Sequence, residues 1–86
     1  MAQITADISF YPLEDNYPDT INQFLESIHS NNQFKIETTD VNTVITGEYS
    51  AVMHLIEKEL KPFLESGDAV FVIKYSNACG KNKNFA

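Results

Sequence analysis

The chain has 86 residues and a formal net charge of -6, and its six basic residues are all lysines. Such a length builds one two-layer domain that buries only roughly 60 to 65% of its unfolded surface, so its stability is marginal unless a partner chain adds to it. The acidic balance and the lack of an arginine fork exclude nucleic acid as a partner, and no apolar run approaches the roughly 20 residues of a membrane span. Cys79 is the single cysteine. It excludes an intrachain disulfide, a CxxC redox motif and four-cysteine zinc or iron-sulfur sites, and reducing conditions fit that usage. The opening MAQITADISF lacks the basic and apolar regions of a signal peptide, so a soluble cytoplasmic protein is expected. A neutral or cationic small molecule suits the charge.

From Gln3 to Tyr11 the sequence alternates, with Ile4, Ala6, Ile8 and Phe10 on one face and Gln3, Thr5, Asp7, Ser9 and Tyr11 on the other. This predicts a strand with one buried face, ended by Pro12 and followed by a polar connection at Glu14, Asp15 and Asn16. Pro18 and Asp19 mark a helix start, and Ile21, Phe24, Leu25 and Ile28 recur at helical spacing. Ser30, Asn31 and Asn32 stop that helix.

Two short strands, Phe34 to Thr39 and Asn42 to Glu48, flank a turn at Asp40 and Val41. Ser50 is the expected cap of a second helix whose buried stripe is Val52, Leu55, Ile56, Leu60, Phe63 and Leu64. Pro62 predicts a kink or tightening near Glu59 to Lys61, and Gly67 closes the helix. Ala69 to Tyr75, AVFVIKY, is almost continuously apolar, which predicts a strand covered on both faces.

The order strand, helix, strand, strand, helix, strand closes into a ferredoxin-like βαββαβ sandwich: an α+β fold with a four-stranded antiparallel sheet and both helices on one face. Residues 1–79 form the single domain and 80–86 a polar tail. One sheet face is left bare, so a second subunit is expected on it, in a homodimer or homotetramer.

This fold serves many functions, and the residues decide among them. Acylphosphatase chemistry needs an arginine, RNA recognition needs a basic aromatic sheet, and metal-chaperone and iron-sulfur chemistry need several cysteines. None of these is present. No metal site and no catalytic residue is assigned: His29 and His54 read as surface residues, Glu57 and Glu59 as a solvated helix face, and Cys79 as an inert small residue. Gly80 and Lys81 lack the surroundings of a phosphate loop.

The polar face of the first strand is harder to dismiss. Thr5, Asp7, Ser9 and Tyr11 belong to a central strand, where an unpaired buried polar group costs about 1 to 3 kcal/mol. The hairpin TTDVNTVITGEY adds hydroxyls and amides where a purely structural strand is apolar. Asn42 or Thr43, and Ser76 near the end of the fourth strand, could converge on the same region. A one-residue change of register decides between Asn42 and Thr43.

Several short pieces, in order, resemble the YkoF-like thiamine and hydroxymethylpyrimidine binding family: Ser9, Tyr11 and Pro12 in ISFYPL; Thr39, Asp40, Thr43, Val44 and Gly47 in TDVNTVITG, with a one-residue length difference in the turn; and Ser76 and Cys79 in YSNACG. The resemblance runs from Ile8 to Gly80. It implies a ferredoxin-like domain that binds thiamine or its pyrimidine precursor without catalysis and without a further cofactor, for uptake, salvage or buffering. Tandem members have two such domains, so here another subunit would supply the second copy. The ligand is an aminopyrimidine joined to a cationic thiazolium. Under the resemblance, Ser9, Asn42, Thr43 and Ser76 are candidates for the pyrimidine, Tyr11 for stacking, and Glu48 or Asp7 for the positive ring. Without arginine, the free forms are expected over thiamine diphosphate. The alternative is a structural or regulatory assembly module with no thiamine ligand. A small enzyme using His54 or Cys79 is a third reading.

Overall fold

The computed structural model of the chain describes residues 2–13, 17–31, 33–39 and 42–77. The expectations placed on Glu14 to Asn16, Asn32, Asp40, Val41, Cys79 and the tail fall outside them. Six elements follow in order: β1 (Gln3–Pro12), α1 (Tyr17–His29), β2 (Lys35–Thr38), β3 (Thr43–Glu48), α2 (Tyr49–Ser66) and β4 (Ala69–Ser76). The strands form one antiparallel sheet in the order β2-β3-β1-β4, and with the two helices they make the small α+β, ferredoxin-like fold.

Alternation along β1 decides which face carries the helices. Ile4, Ala6 and Ile8 are buried, and their cross-strand partners Gly47, Ile45 and Thr43 on β3 share that face. Phe24 and Ile28 of α1 and Val52, Leu55, Ile56 and Leu60 of α2 close over them to form the core. An aromatic cluster extends it toward β4. There Phe10 stacks on Phe71 at 4.3 Å and meets Phe24 and Phe63 edge-on at 5.2 and 5.5 Å. Gly47 lies where Phe34 and Val52 press on the sheet, and a Cβ there would come within 2.9 Å of the Phe34 ring. The close approach requires glycine.

The helix ends differ from what local signals predict. The cap of α2 is Glu48, whose carboxylate accepts from the Ser50 and Ala51 N–H groups at 3.2 and 3.1 Å. Ser50 therefore lies inside the first turn rather than capping it, because the carboxylate of the last strand residue reaches the free N–H groups first. Pro62 lies within a helix that runs unbroken from Tyr49 to Ser66. Gly67 follows as the C-cap with φ near -175°, an extended conformation open to any residue, so the left-handed glycine closure is not used. The end of α1 agrees with expectation: Ser30 and Asn31 return their N–H groups to the Ser27 and Ile28 carbonyls at 3.3 and 3.2 Å, and the Ser30 hydroxyl also donates to Ser27 at 2.6 Å.

Glu59 is a second correction. It is 8% exposed and links the helices, accepting from the Ser27 hydroxyl at 2.5 Å and the Asn31 amide at 3.3 Å. Its Oε2 also lies 3.8 Å from the Lys58 ammonium. A solvated face was expected because helical periodicity does not reveal which polar positions meet a neighbouring helix.

The apolar run of β4 is an edge strand with one covered face. Phe71 and Ile73 pack on the core, whereas Val70 and Val72 are 44% and 46% exposed on the open side. Within the described chain, cover on both faces is absent. The polar set of β1 shares that open side with Val44, Val70 and Val72, its cross-strand neighbours.

Candidate functional site

Where the β2–β3 hairpin passes the middle of α1, the two layers part around a cavity of about 110 Å³. That is several times the roughly 10 to 15 Å³ one water needs. Its walls are apolar: Ile8 and Phe10 from β1, and Ile21, Phe24 and Leu25 from α1. Its polar side comes entirely from the hairpin, through Thr38, Thr39, Asn42 and Thr43.

The register explains this division. Thr38 pairs with Thr43, and Thr43 with Ile8, so both threonines lie on the helix-covered face. Thr43 is 3% exposed, and its hydroxyl lies 3.4 Å from that of Thr38. The Thr38 hydroxyl also meets His29 Nε2 at 2.7 Å, bringing the last turn of α1 to the cavity rim.

Asn42 stands at the border of the two faces. Its Nδ2 donates to Asp7 Oδ1 at 2.7 Å, and its Oδ1 accepts from the Thr39 hydroxyl. The Thr39 oxygen in turn accepts from the Asn42 backbone N–H at 3.2 Å, and the turn closes with Thr39 N–H on the Asn42 carbonyl at 2.8 Å. An ionised carboxylate only accepts, so Asp7 fixes which end of the Asn42 amide points at it. A flat ring with in-plane donors and acceptors matches apolar walls with hydroxyls and an amide at one edge.

The residues singled out from sequence are not gathered at one place. Thr43 is in the cavity wall, Asn42 is at its rim, and Asp7 is joined to the rim through Asn42. Ser9 and Tyr11 lie on the open face, where Tyr11 is 53% exposed opposite Val70. Ser76 pairs with Thr5, four residues from Ser9 along β1. At about 3.3 Å per residue that is roughly 13 Å away, too far for Ser76 to converge with Ser9 and Asn42 on one ring. Glu48, opposite Gln3, holds the start of α2.

Sequence reasoning passed over His29, Thr38 and Thr39 as site residues. Thr38 and Thr39 carried a signal, the hydroxyl-rich hairpin; His29 carried none, because its partner is nine residues away on another element. Among the described residues, no three of His, Cys, Asp or Glu group as metal ligands, and no helix is long and apolar enough to cross a membrane. At the opposite end of the sheet, burial and then the neighbouring Tyr49 push the Tyr75 phenol above its usual value.

No family model matches the sequence, and no curated protein matches it. Solved structures do. A candidate thiamine biosynthesis/salvage protein of Thermotoga maritima is 19% identical with a TM-score of 0.75, over 86% of this chain and 82% of that one. A protein of Streptococcus pneumoniae is 16% identical with a TM-score of 0.77, over 86% and 84%. A DUF77 domain of Bacillus cereus, of unknown function, is 18% identical with a TM-score of 0.68, over 87% and 75%. At these identities the likeness is one of fold.

Proposed function

We propose that the chain is a non-enzymatic binding protein for thiamine or its hydroxymethylpyrimidine precursor, with the pyrimidine in the cavity between α1 and the hairpin. One observation carries the reading: a cavity whose walls are apolar and aromatic and whose polar groups, Thr38, Thr39, Asn42 and Thr43, all lie on one side. A planar aminopyrimidine needs this combination, because its faces are apolar and its edge both donates and accepts. Two further facts support it: the sequence resemblance to the YkoF-like family, and the fold shared with a candidate thiamine biosynthesis/salvage protein.

The thiazolium of thiamine would lie outside the cavity mouth, with Asp7 as the carboxylate that, among the described residues, is bonded to the polar rim. Glu48 is left out of this role because its carboxylate caps α2. Without arginine, the diphosphate is disfavoured.

A thermal-shift series with hydroxymethylpyrimidine, thiamine and thiamine diphosphate tests the reading. At 100 times its dissociation constant a ligand stabilises by about 2.7 kcal/mol, so a clear rise in Tm is expected for one of the first two. Tighter calorimetric binding of the diphosphate would refute the preference for free forms. Thr43→Val removes the buried hydroxyl at constant shape and is expected to weaken binding while leaving the assembly state unchanged. If it breaks an oligomer and spares binding, the site is misplaced.

The second reading is an assembly module that binds no thiamine, and it is favoured by the exposed Val70 and Val72 on the open face. No thermal shift with any of the three compounds, together with a mass above that of one chain, selects it.

A further inference from the structure

The cavity has one polar wall whose hydrogen-bonding sense is not fixed by its own residues. At the rim, Asp7 dictates the amide orientation of Asn42, and Asn42 takes the Thr39 proton. Thr38 is different. Its hydroxyl carries one proton, and it lies between His29 Nε2 at 2.7 Å and Thr43 Oγ1 at 3.4 Å. The first distance is that of a good hydrogen bond and the second is longer than the usual 2.5 to 3.0 Å, so the imidazole is the stronger partner. A ligand atom in the cavity competes with Thr43 for the remaining capacity of Thr38, not with His29.

We propose that His29 is a positioning residue: acting through Thr38, it sets whether the cavity wall donates or accepts, and so couples ligand binding to a proton. The inference rests on the binding role proposed above. A neutral His29 with a bare Nε2 takes the Thr38 proton and leaves the Thr38 oxygen as an acceptor. A protonated His29 can only donate, and the Thr38 proton then turns toward the cavity. A ligand edge that donates, such as an amino group, therefore favours the neutral imidazole. An edge that accepts, such as a ring nitrogen, is served by the imidazolium and by the neutral Nε2–H tautomer alike, so the proton is coupled through the donating edge.

The imidazole is exposed. Glu26 borders it one turn back on α1. On β2, Glu37 is next to Thr38 but on the opposite face of the sheet, since it pairs with Val44. Lys58 and Glu59 of α2 bond to Asn31 and Ser27, and Ser27 lies about 200° around the helix from His29. Among the described residues, no carboxylate forms an ion pair with the ring.

The test uses the intact chain with hydroxymethylpyrimidine as probe. Binding is measured by calorimetry between pH 5 and 8, in buffers of differing ionisation enthalpy. The wild type is expected to change affinity about tenfold over that range, equivalent to one net hydrogen bond, with a proton taken up or released on binding. His29→Gln, which keeps a side-chain amide in reach of Thr38, and Thr38→Val should each keep only the pH dependence and the proton that the aminopyrimidine's own protonation supplies. A wild-type profile no steeper than that of the two variants, or a wild-type linked proton unchanged in either, overturns the proposal. If the wild type binds neither the pyrimidine nor thiamine, the binding role fails instead. The relay is then decided by the His29 ring resonances at one fixed pH, whose chemical shifts are expected to move in Thr38→Val as the 2.7 Å contact is lost. Unmoved shifts overturn it.

Discussion

The two faces of one sheet are built from the same strands and carry opposite duties. On the helix-covered side, β1 contributes Ile4, Ala6 and Ile8 to a closed core, and Thr38, Thr39, Asn42 and Thr43 bring polar groups to a cavity beside it. On the other side, the alternate residues of β1 lie beside Val44, Val70 and Val72 with no described element over them. Polar groups in a small domain concentrate either where a ligand can satisfy them or where solvent and partner chains can. Here the covered face gathers its polar groups beside a cavity, and the open face leaves them without a described element over them. Asn42 joins the two, since it lines the cavity and bonds to Asp7 across the border.

The comparison breaks most readily on the covered side. Phe24 is 2% exposed, lines the cavity and meets Phe10 and Phe63. Phe24→Ala is expected to cost about 3 to 5 kcal/mol by denaturant unfolding and to leave little folded protein in a marginal domain. A smaller effect is expected where the faces meet α2. Glu48→Ala removes the cap from the Ser50 and Ala51 N–H groups, and a loss of about 1 kcal/mol should appear as a lower denaturation midpoint. An unchanged midpoint would show that water replaces the cap without cost.

On the open side the effect on one chain's stability should be smallest. Val72→Lys is expected to stay within about 0.5 kcal/mol, because the side chain already touches solvent. Its effect should appear in the assembly instead, as a fall in mass by light scattering at micromolar concentration. A wild type that already has the mass of one chain would remove the open face as a subunit surface.

Most of the architecture was legible in the residues. Period-2 alternation in β1, helical spacing in α1 and α2, and the short hairpin suffice for the element order, and the order suffices for the sheet. The misreadings have a common cause. Ser50 and Glu59 were judged from local pattern, whereas their roles depend on neighbouring groups that such a pattern does not record: the carboxylate of Glu48 at the end of β3 and the last turn of α1.

The site shows the same limit more sharply. Sequence alone determined that the hairpin is unusually rich in hydroxyls and amides, and that Asn42 and Thr43 would lie on opposite faces. Only the tertiary structure decided which faced which, because pairing Thr43 with Ile8 commits every residue of β3 to one side. That register turns Thr43 toward the helices, the pairing of β4 with β1 leaves Ser76 beside Thr5, and the pairing of β2 with β3 sets Thr38 where the end of α1 can reach it. His29 meets the hairpin for a reason no spacing records. Two layers packed about a common core place the end of α1 beside the second strand.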